Sequence, residues 1–288
     1  MKKCRLMILA FGILILAIGC NAKNEINEKE DETMNTTEIT INELTIPNGE
    51  HSIYGKLYIP TQNGTHPAII LSHGYNGTHN DFAKECKYYA EHGYIAYAFD
   101  FCGGSNNSKS SGSSTDMTIF TETSDLLAVF DYLSAMDDVD KEQLFLFGGS
   151  QGGLVTTLVA EQIADKVKGM VLYYPALCIP DDWRNTYPTT EDIPDTLNFW
   201  GLNLGKNFFT AIHDYYVFDH IGSFDKDILI IHGDKDNVVS IDYSQKAVVT
   251  YENATLITLP GEGHGFSQSG GITAMQEVLT YLKEHTNQ

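Results

Sequence analysis

The chain has 288 residues and carries 38 Asp and Glu against 18 Lys and Arg, for a formal net charge of −20. That length is enough for one large α/β domain with a deep core. So acidic a chain, with no Lys/Arg cluster beyond its first five residues to offset it, is repelled by nucleic-acid phosphates and anionic lipid heads, which excludes a nucleic-acid partner.

The first element is a leader. Lys2, Lys3 and Arg5 precede an apolar run from Leu6 to Ile18, which ends Ala17-Ile18-Gly19-Cys20. A basic stretch, a short apolar stretch and a small residue before the cut make residues 1–19 a secretion signal. The run is short for a spanning helix, which needs roughly twenty residues. The cysteine after Gly19 resembles the lipobox of bacterial lipoproteins, although Ala17 stands where that motif usually has Leu. The resemblance implies that Cys20 is acylated and that the protein sits outside the cytoplasm, held to the cell membrane by this lipid alone. Cleavage moves the net charge from −20 to −23, because Lys2, Lys3 and Arg5 leave and no acidic residue does. Residues 20–38 contain the polar run Glu25–Glu38, which lacks an apolar period and reads as a flexible tether. Cys4 leaves with the leader and Cys20 is the acylation site, so Cys86, Cys102 and Cys178 remain. Their spacing suggests neither a disulfide framework nor a zinc site, and a Cys102–Cys178 pair stays open.

The folded domain is expected over 39–288. Ile39–Ile46 and Ile53–Ile59 alternate apolar and polar residues around Pro47-Asn48-Gly49-Glu50, which predicts an antiparallel hairpin at a sheet edge. Ala68–Leu71, Tyr94–Phe101, Leu144–Phe147, Met170–Tyr174, Ile228–Ile231 and Thr255–Leu259 are short, nearly continuous apolar runs, as expected of strands buried on both faces. Helical stretches alternate with them at Asp81–Glu91, Ile119–Met136, Gln151–Ala164, Tyr243–Tyr251 and Ile272–Lys283. This alternation specifies an α/β fold, a mainly parallel eight-stranded sheet with helices on both faces. Ser105–Ser114, rich in Ser, Gly and Asn, reads as a surface loop.

Between the strand Leu144–Phe147 and the following helix lies Gly148-Gly149-Ser150-Gln151-Gly152-Gly153, a G-x-S-x-G at a strand-to-helix turn. A serine nucleophile must project from a turn too tight for bulky neighbours. Glycines two before and two after it let strand and helix approach, and the helix N-terminus favours developing negative charge. Two partners follow in the order this chemistry requires, Asp234 or Asp236 and then His264, so Ser150 is read as an activated serine.

The fifty or so residues from Pro175 to Phe224 exceed what an ordinary connection needs. They hold Trp183, Tyr187, Phe199, Trp200, Phe208, Phe209, Tyr215, Tyr216 and Phe218. An insertion over 176–223, beside the serine at the carboxyl end of the sheet, is where a substrate-binding cap belongs. Two to four of its aromatics are expected to face the substrate, and Trp183, Tyr187 and Trp200 are the candidates. His213 and His220, near Asp214 and Asp219, lack further ligand spacing, so no metal is expected. Gly103-Gly104-Ser105 lacks the G-x-G-x-x-G frame, so no nucleotide cofactor is expected. His232 reads as the structural start of a turn.

With the strand, serine turn, helix, late Asp and later His in place, residues 40–285 resemble an α/β-hydrolase. Within that superfamily the chain is similar to the bacterial feruloyl/cinnamoyl esterases, which carry a cap inserted after the sixth strand. The segments that carry the resemblance are Leu71–Gly77, Phe99–Ser105, Gly148–Gly153, Ile231–Asp236 and Gly261–Phe266. It implies Ser150 as nucleophile, His264 as general base, and an oxyanion hole built from the backbone N–H groups of Tyr75 and Gln151. It selects Asp236, the fifth residue of His-Gly-x-x-Asp, as the acid, with Asp234 bonding the backbone of its own turn. His73 is implied to be structural and Tyr75 also a pocket wall. The expected partner is a small ester, hydrolysed through an acyl-enzyme, with hydroxycinnamate esters the leading case. A prolyl-oligopeptidase-type peptidase shares the triad, although that family usually carries a large N-terminal propeller and only 20–38 precede the first strand here. A catalytically silent binding lipoprotein on the same scaffold is the rival from another class.

Overall fold

The computed structural model describes residues 37–286. The leader, Cys20 and residues 21–36 of the expected tether lie outside the described residues. Strands β1 (Ile39–Asn48) and β2 (His51–Pro60) form the expected edge hairpin, turning at Gly49 and Glu50. There follow β3 (His66–Ser72), α1 (Ala83–Glu91), β4 (Ile95–Phe99), α2 (Ile119–Ser134), β5 (Val139–Gly149), α3 (Gln151–Gln162) and β6 (Gly169–Tyr173). The long insertion then holds α4 (Ile179–Thr186), β7 (Thr196–Phe199), β8 (Leu202–Gly205) and α5 (Lys206–Ile212). The chain returns through β9 (Ile228–Gly233), α6 (Ile241–Thr250), β10 (Ala254–Leu259) and α7 (Gln268–His285).

Among the described residues, eight strands form one sheet in the order β1-β2-β4-β3-β5-β6-β9-β10. Its pairs from β4 to β10 are parallel, and β1 and β2 join antiparallel at one edge. The apolar runs are continuous because successive residues enter different cores. Ile69, Leu71, Phe145, Phe147, Val171 and Tyr173 pack with α1 and α7 on one face. Ile70, Leu144, Leu146, Met170 and Leu172 pack with α2, α3 and α6 on the other. This is the α/β-hydrolase fold, with the insertion following the sixth strand.

Helix starts follow their caps. Thr118 and Thr121 cap α2 reciprocally, and Ser240 and Ser267 cap α6 and α7, which begin two and four residues earlier than the apolar period suggested. His232 belongs to β9, opposite Thr258 of β10, rather than to the turn after it. At the other end of the chain, Thr37 N–H donates to the Glu91 carbonyl and Glu38 accepts from Thr61 N–H, so the last residues assigned to the tether already bond to the domain. Cys86, Cys102 and Cys178 are all buried free thiols, and Cys102 and Cys178 do not pair.

Candidate active site

Ser150 stands between β5 and α3 with φ 54° and ψ −121°, a backbone conformation rarely open to a residue with a side chain. Its N–H donates to Tyr173 O of β6 and its carbonyl accepts from Ala176 N–H, so neighbouring chain holds the strained turn. The flanking glycines are required by contact. A Cβ on Gly148 would strike the Gly152 carbonyl, and one on Gly152 would strike the carbonyls of Ser72 and His73. From the other side, a Cβ on Gly74 would lie 3.1 Å from Ser150 Cβ, which brings the loop after β3 directly against the serine.

His264 and Asp236 complete the arrangement. Ser150 Oγ lies 3.0 Å from His264 Nε2, and His264 Nδ1 lies 2.7 Å from Asp236 Oδ2. A carboxylate can only accept, so Nδ1–H donates to Asp236 and Nε2 is free to take the serine proton. The Asp236 side chain is inaccessible to solvent. Burial acts to raise its pKa, but bonds from Val239 N–H, His264 and Val238 N–H outweigh it and hold the carboxyl below its ordinary value. Asp236 is therefore both the histidine's partner and the residue that bonds its own turn. Asp234, expected to bond that turn, instead accepts from Gly261 N–H at 2.7 Å. It ties the turn to the loop that carries His264, where Lys235 N–H also donates to Glu262 O.

Two supporting residues escaped the sequence reading. His232, fully buried, has Nε2 3.1 Å from Val239 O and 3.2 Å from Asp236 Oδ2, with Ser244 Oγ 2.7 Å from Nδ1. Because a carbonyl only accepts, Nε2 carries the proton, and this neutral imidazole buttresses the carboxylate; burial lowers its basicity. The spacing His232–Asp236 was visible, but nothing in it distinguishes a buttress from a turn residue. The second is Glu122 on α2, whose carboxyl oxygens lie 2.9 and 2.8 Å from Gln151 Nε2. His73 is structural as expected: Nδ1–H donates to Gly74 O at 2.7 Å and Nε2 accepts from Phe101 N–H at 3.1 Å.

Tyr75 and Gln151 both line, with Ser150, a cleft of about 460 Å³. Gln151 opens α3, where a backbone N–H has no acceptor within the helix. Trp183, Tyr187 and Trp200 line the same cleft. Phe199 and Phe208 do too, so five of the nine insertion aromatics reach it. Trp183 also packs edge-on against Phe209 and Phe199, building the insertion's own core. His213 bonds Asp214 and the Tyr187 carbonyl, and His220 stacks on Tyr215. All five described non-glycine residues with positive φ (Asn76, Ser150, Tyr174, Trp200 and Phe266) lie at or beside the cleft and His264. Such strain persists where surroundings over-determine it, as functional sites do.

Known proteins resemble this chain in sequence and in fold. Residues 80–288 match the prolyl oligopeptidase family model, and residues 20–121 match the acetyl xylan esterase (AXE1) model. Caffeoylshikimate esterase of Arabidopsis thaliana is 30% identical over 140 residues, covering 48% of this chain and 41% of that one. Cutinase est1 of Thermobifida alba is 30% identical over 145 residues, covering 47% and 44%. The chain thus spans less than half the length of these curated relatives. The structure of Est1E from Butyrivibrio proteoclasticus with bound ferulic acid superposes with a TM-score of 0.75 at 27% identity, covering 84% of this chain and 98% of that one. With a family model matched over most of its length and the serine, histidine and aspartate brought together on this sheet, the chain belongs to the prolyl oligopeptidase family.

Proposed function

We propose that the protein is a serine esterase that cleaves small carboxylic esters through an acyl-enzyme on Ser150. The reading rests on the continuous hydrogen-bonded chain from Ser150 through His264 to Asp236 at an apolar cleft. Ser150 Oγ attacks the ester carbonyl while His264 Nε2 takes its proton, and Asp236 stabilises the imidazolium. The carbonyl oxygen becomes an oxyanion held by the backbone N–H groups of Tyr75 and Gln151, at the N-terminus of α3. Collapse breaks the ester C–O bond and His264 returns the proton to the departing alcohol. Water then attacks the acyl-enzyme by the same route and releases the acid.

Hydroxycinnamate esters are the leading substrates. Trp183, Tyr187, Phe199 and Trp200 offer aromatic walls to an aryl acyl group, with residues 176–223 as the cap that selects it. The relatives point the same way: Est1E takes up ferulic acid and the plant relative is named for a caffeoyl ester. The family match favours a second reading, a peptidase. Against it, Asp182 is the one charged side chain among the described residues lining the cleft and most of the others are apolar or aromatic, which suits an aryl ester. Acylation at Cys20 would hold this activity outside the cytoplasm at the membrane.

Turnover of methyl ferulate, p-nitrophenyl acetate, p-nitrophenyl octanoate and an Ala-Pro anilide, with Ser150→Ala as control, tests the reading. Methyl ferulate should be fastest, and Ser150→Ala should lose nearly all turnover while remaining folded. Preference for the anilide would move the assignment to a peptidase. Absence of both turnover and fluorophosphonate labelling would leave a binding protein on a hydrolase scaffold.

A further inference from the structure

Glu122 is 1% exposed and Gln151 3% exposed, and they meet where α2 packs on α3. Gln151 Nε2 lies 2.9 and 2.8 Å from the two carboxyl oxygens and donates to the unprotonated one, and the loop backbone at Gly104 closes over them, since a Cβ there would lie 3.5 Å from Oε1. Acyl transfer at Ser150 uses the Gln151 backbone N–H and gives the buried carboxyl no part. We propose that Glu122 is a positioning residue of the oxyanion hole, holding Gln151 in place while its carboxyl is protonated and weakening the hole when the proton leaves. This rests on the serine-hydrolase reading of the site.

The described surroundings supply no positive charge. On α2 the neighbour is Asp125, one turn along, which accepts from Cys102 N–H and Asn48. On α3 it is the uncharged Gln151, and on the loop after β3 it is the hydroxyl of Tyr75, which donates to Phe199 O. Burial, opposed by the Gln151 bond and aided by the charge on Asp125, pushes the Glu122 carboxyl up to about 8. It is thus neutral at pH 7 and ionises in mild alkali. The anion would stand one side chain from the developing oxyanion and beside the α3 N-terminus. Two negative charges in a site screened from water repel, and the anion also offsets the helix field that favours the oxyanion. A merely structural carboxyl locking α2 to α3 would leave reactivity indifferent to this proton.

The test is the rate of fluorophosphonate labelling of Ser150 in the full-length protein between pH 7 and 9.5. The phosphonyl oxygen occupies the oxyanion hole, so its rate reads the hole without reference to substrate. Burial holds Tyr75, Tyr174 and Cys178 above this window, so their ionisation does not confuse it. Wild type should lose rate ~10-fold, with a midpoint near 8, and Glu122→Gln should show no such fall. Asp125→Asn, which removes a like charge, should move the midpoint to lower pH and decides the matter if Glu122→Gln does not fold. A pH-independent wild type, a fall retained in Glu122→Gln, or a midpoint unmoved by Asp125→Asn would each overturn the proposal alone. No labelling at any pH would remove the hydrolase reading and this proposal with it.

Discussion

Oδ1 of Asp236 takes the N–H groups of Val238 and Val239, while Oδ2 faces His264 on one side and the buried His232 on the other. Every contact favours the ionised form, so replacing the charge without changing the shape isolates its role. Asp236→Asn should lower turnover by several orders of magnitude, ~10⁴ if it follows the same substitution in a serine-protease triad. Asp234 holds Gly261 N–H at an exposed turn. Asp234→Asn should cost about 1 kcal/mol of stability with far less loss of turnover. Turnover and melting temperature of both variants check this, and the reverse pattern would transfer the catalytic role. Glu122 carries a second residue-scale consequence. Its folded-state value of about 8 exceeds the ordinary 4.5, so the folded chain binds this proton more tightly than the unfolded one. The associated stability is fully present below about pH 4.5, declines as pH rises towards 8, and is lost above it. Urea unfolding at pH 5.5, 7 and 9 should show Glu122→Gln gaining on wild type as pH rises, by about 3 kcal/mol in total. A constant difference across that range would show that Glu122 does not titrate there.

At the scale of elements, the hairpin β7–β8 turns through Trp200 and Gly201, both with positive φ. Two central residues of that kind form the tight turn whose twist suits a hairpin, a place Asn-Gly usually fills. Trp200 is strained there and 65% exposed, yet it stacks on Phe199 at 4.6 Å. The surrounding loops hold the hairpin: Tyr75 Oη donates to Phe199 O at 2.8 Å and Asn106 Nδ2 to Gly201 O at 2.7 Å. We propose that this strained aromatic at the cleft meets the ligand. Trp200→Ala and Trp183→Ala should therefore change the ratio of aryl to acetyl ester turnover, by about 1 kcal/mol for one lost stacking wall. Equal losses on every ester would make the insertion scaffolding.

At the scale of the whole molecule, the folded domain keeps its site at one end of a sheet buried on both faces. Among the described residues no helix is long and apolar enough to cross a membrane. The proposed attachment is the acylation of Cys20. Cys20→Ser should shift the protein from the membrane pellet to the soluble fraction with ester turnover intact. An unmodified Cys20 by mass spectrometry, or a cut elsewhere, would remove the anchor and leave the hydrolase untouched.

The eight-stranded sheet was legible because short, nearly continuous apolar runs such as Leu144–Phe147, alternating with helical stretches, are expected of strands with a core on each side. Ser150 was legible because its chemistry needs a glycine-flanked strand-to-helix turn, which is a local property, and His264 because it follows in the order that chemistry requires. The aspartate was not decidable from residues alone, since Asp234 and Asp236 share one turn; the resemblance selected Asp236, and only the folded loops show which carboxylate meets His264. The small elements of the insertion were also illegible, because its short strands and helices pack on one another rather than along one apolar period. Glu122 lies 29 positions from Gln151 and looks in sequence like any helix-surface acid. Local sequence determined the elements and the nucleophile's turn, whereas contacts between distant segments, which depend on tertiary packing, decided the carboxylates' partners and which aromatics reach the cleft.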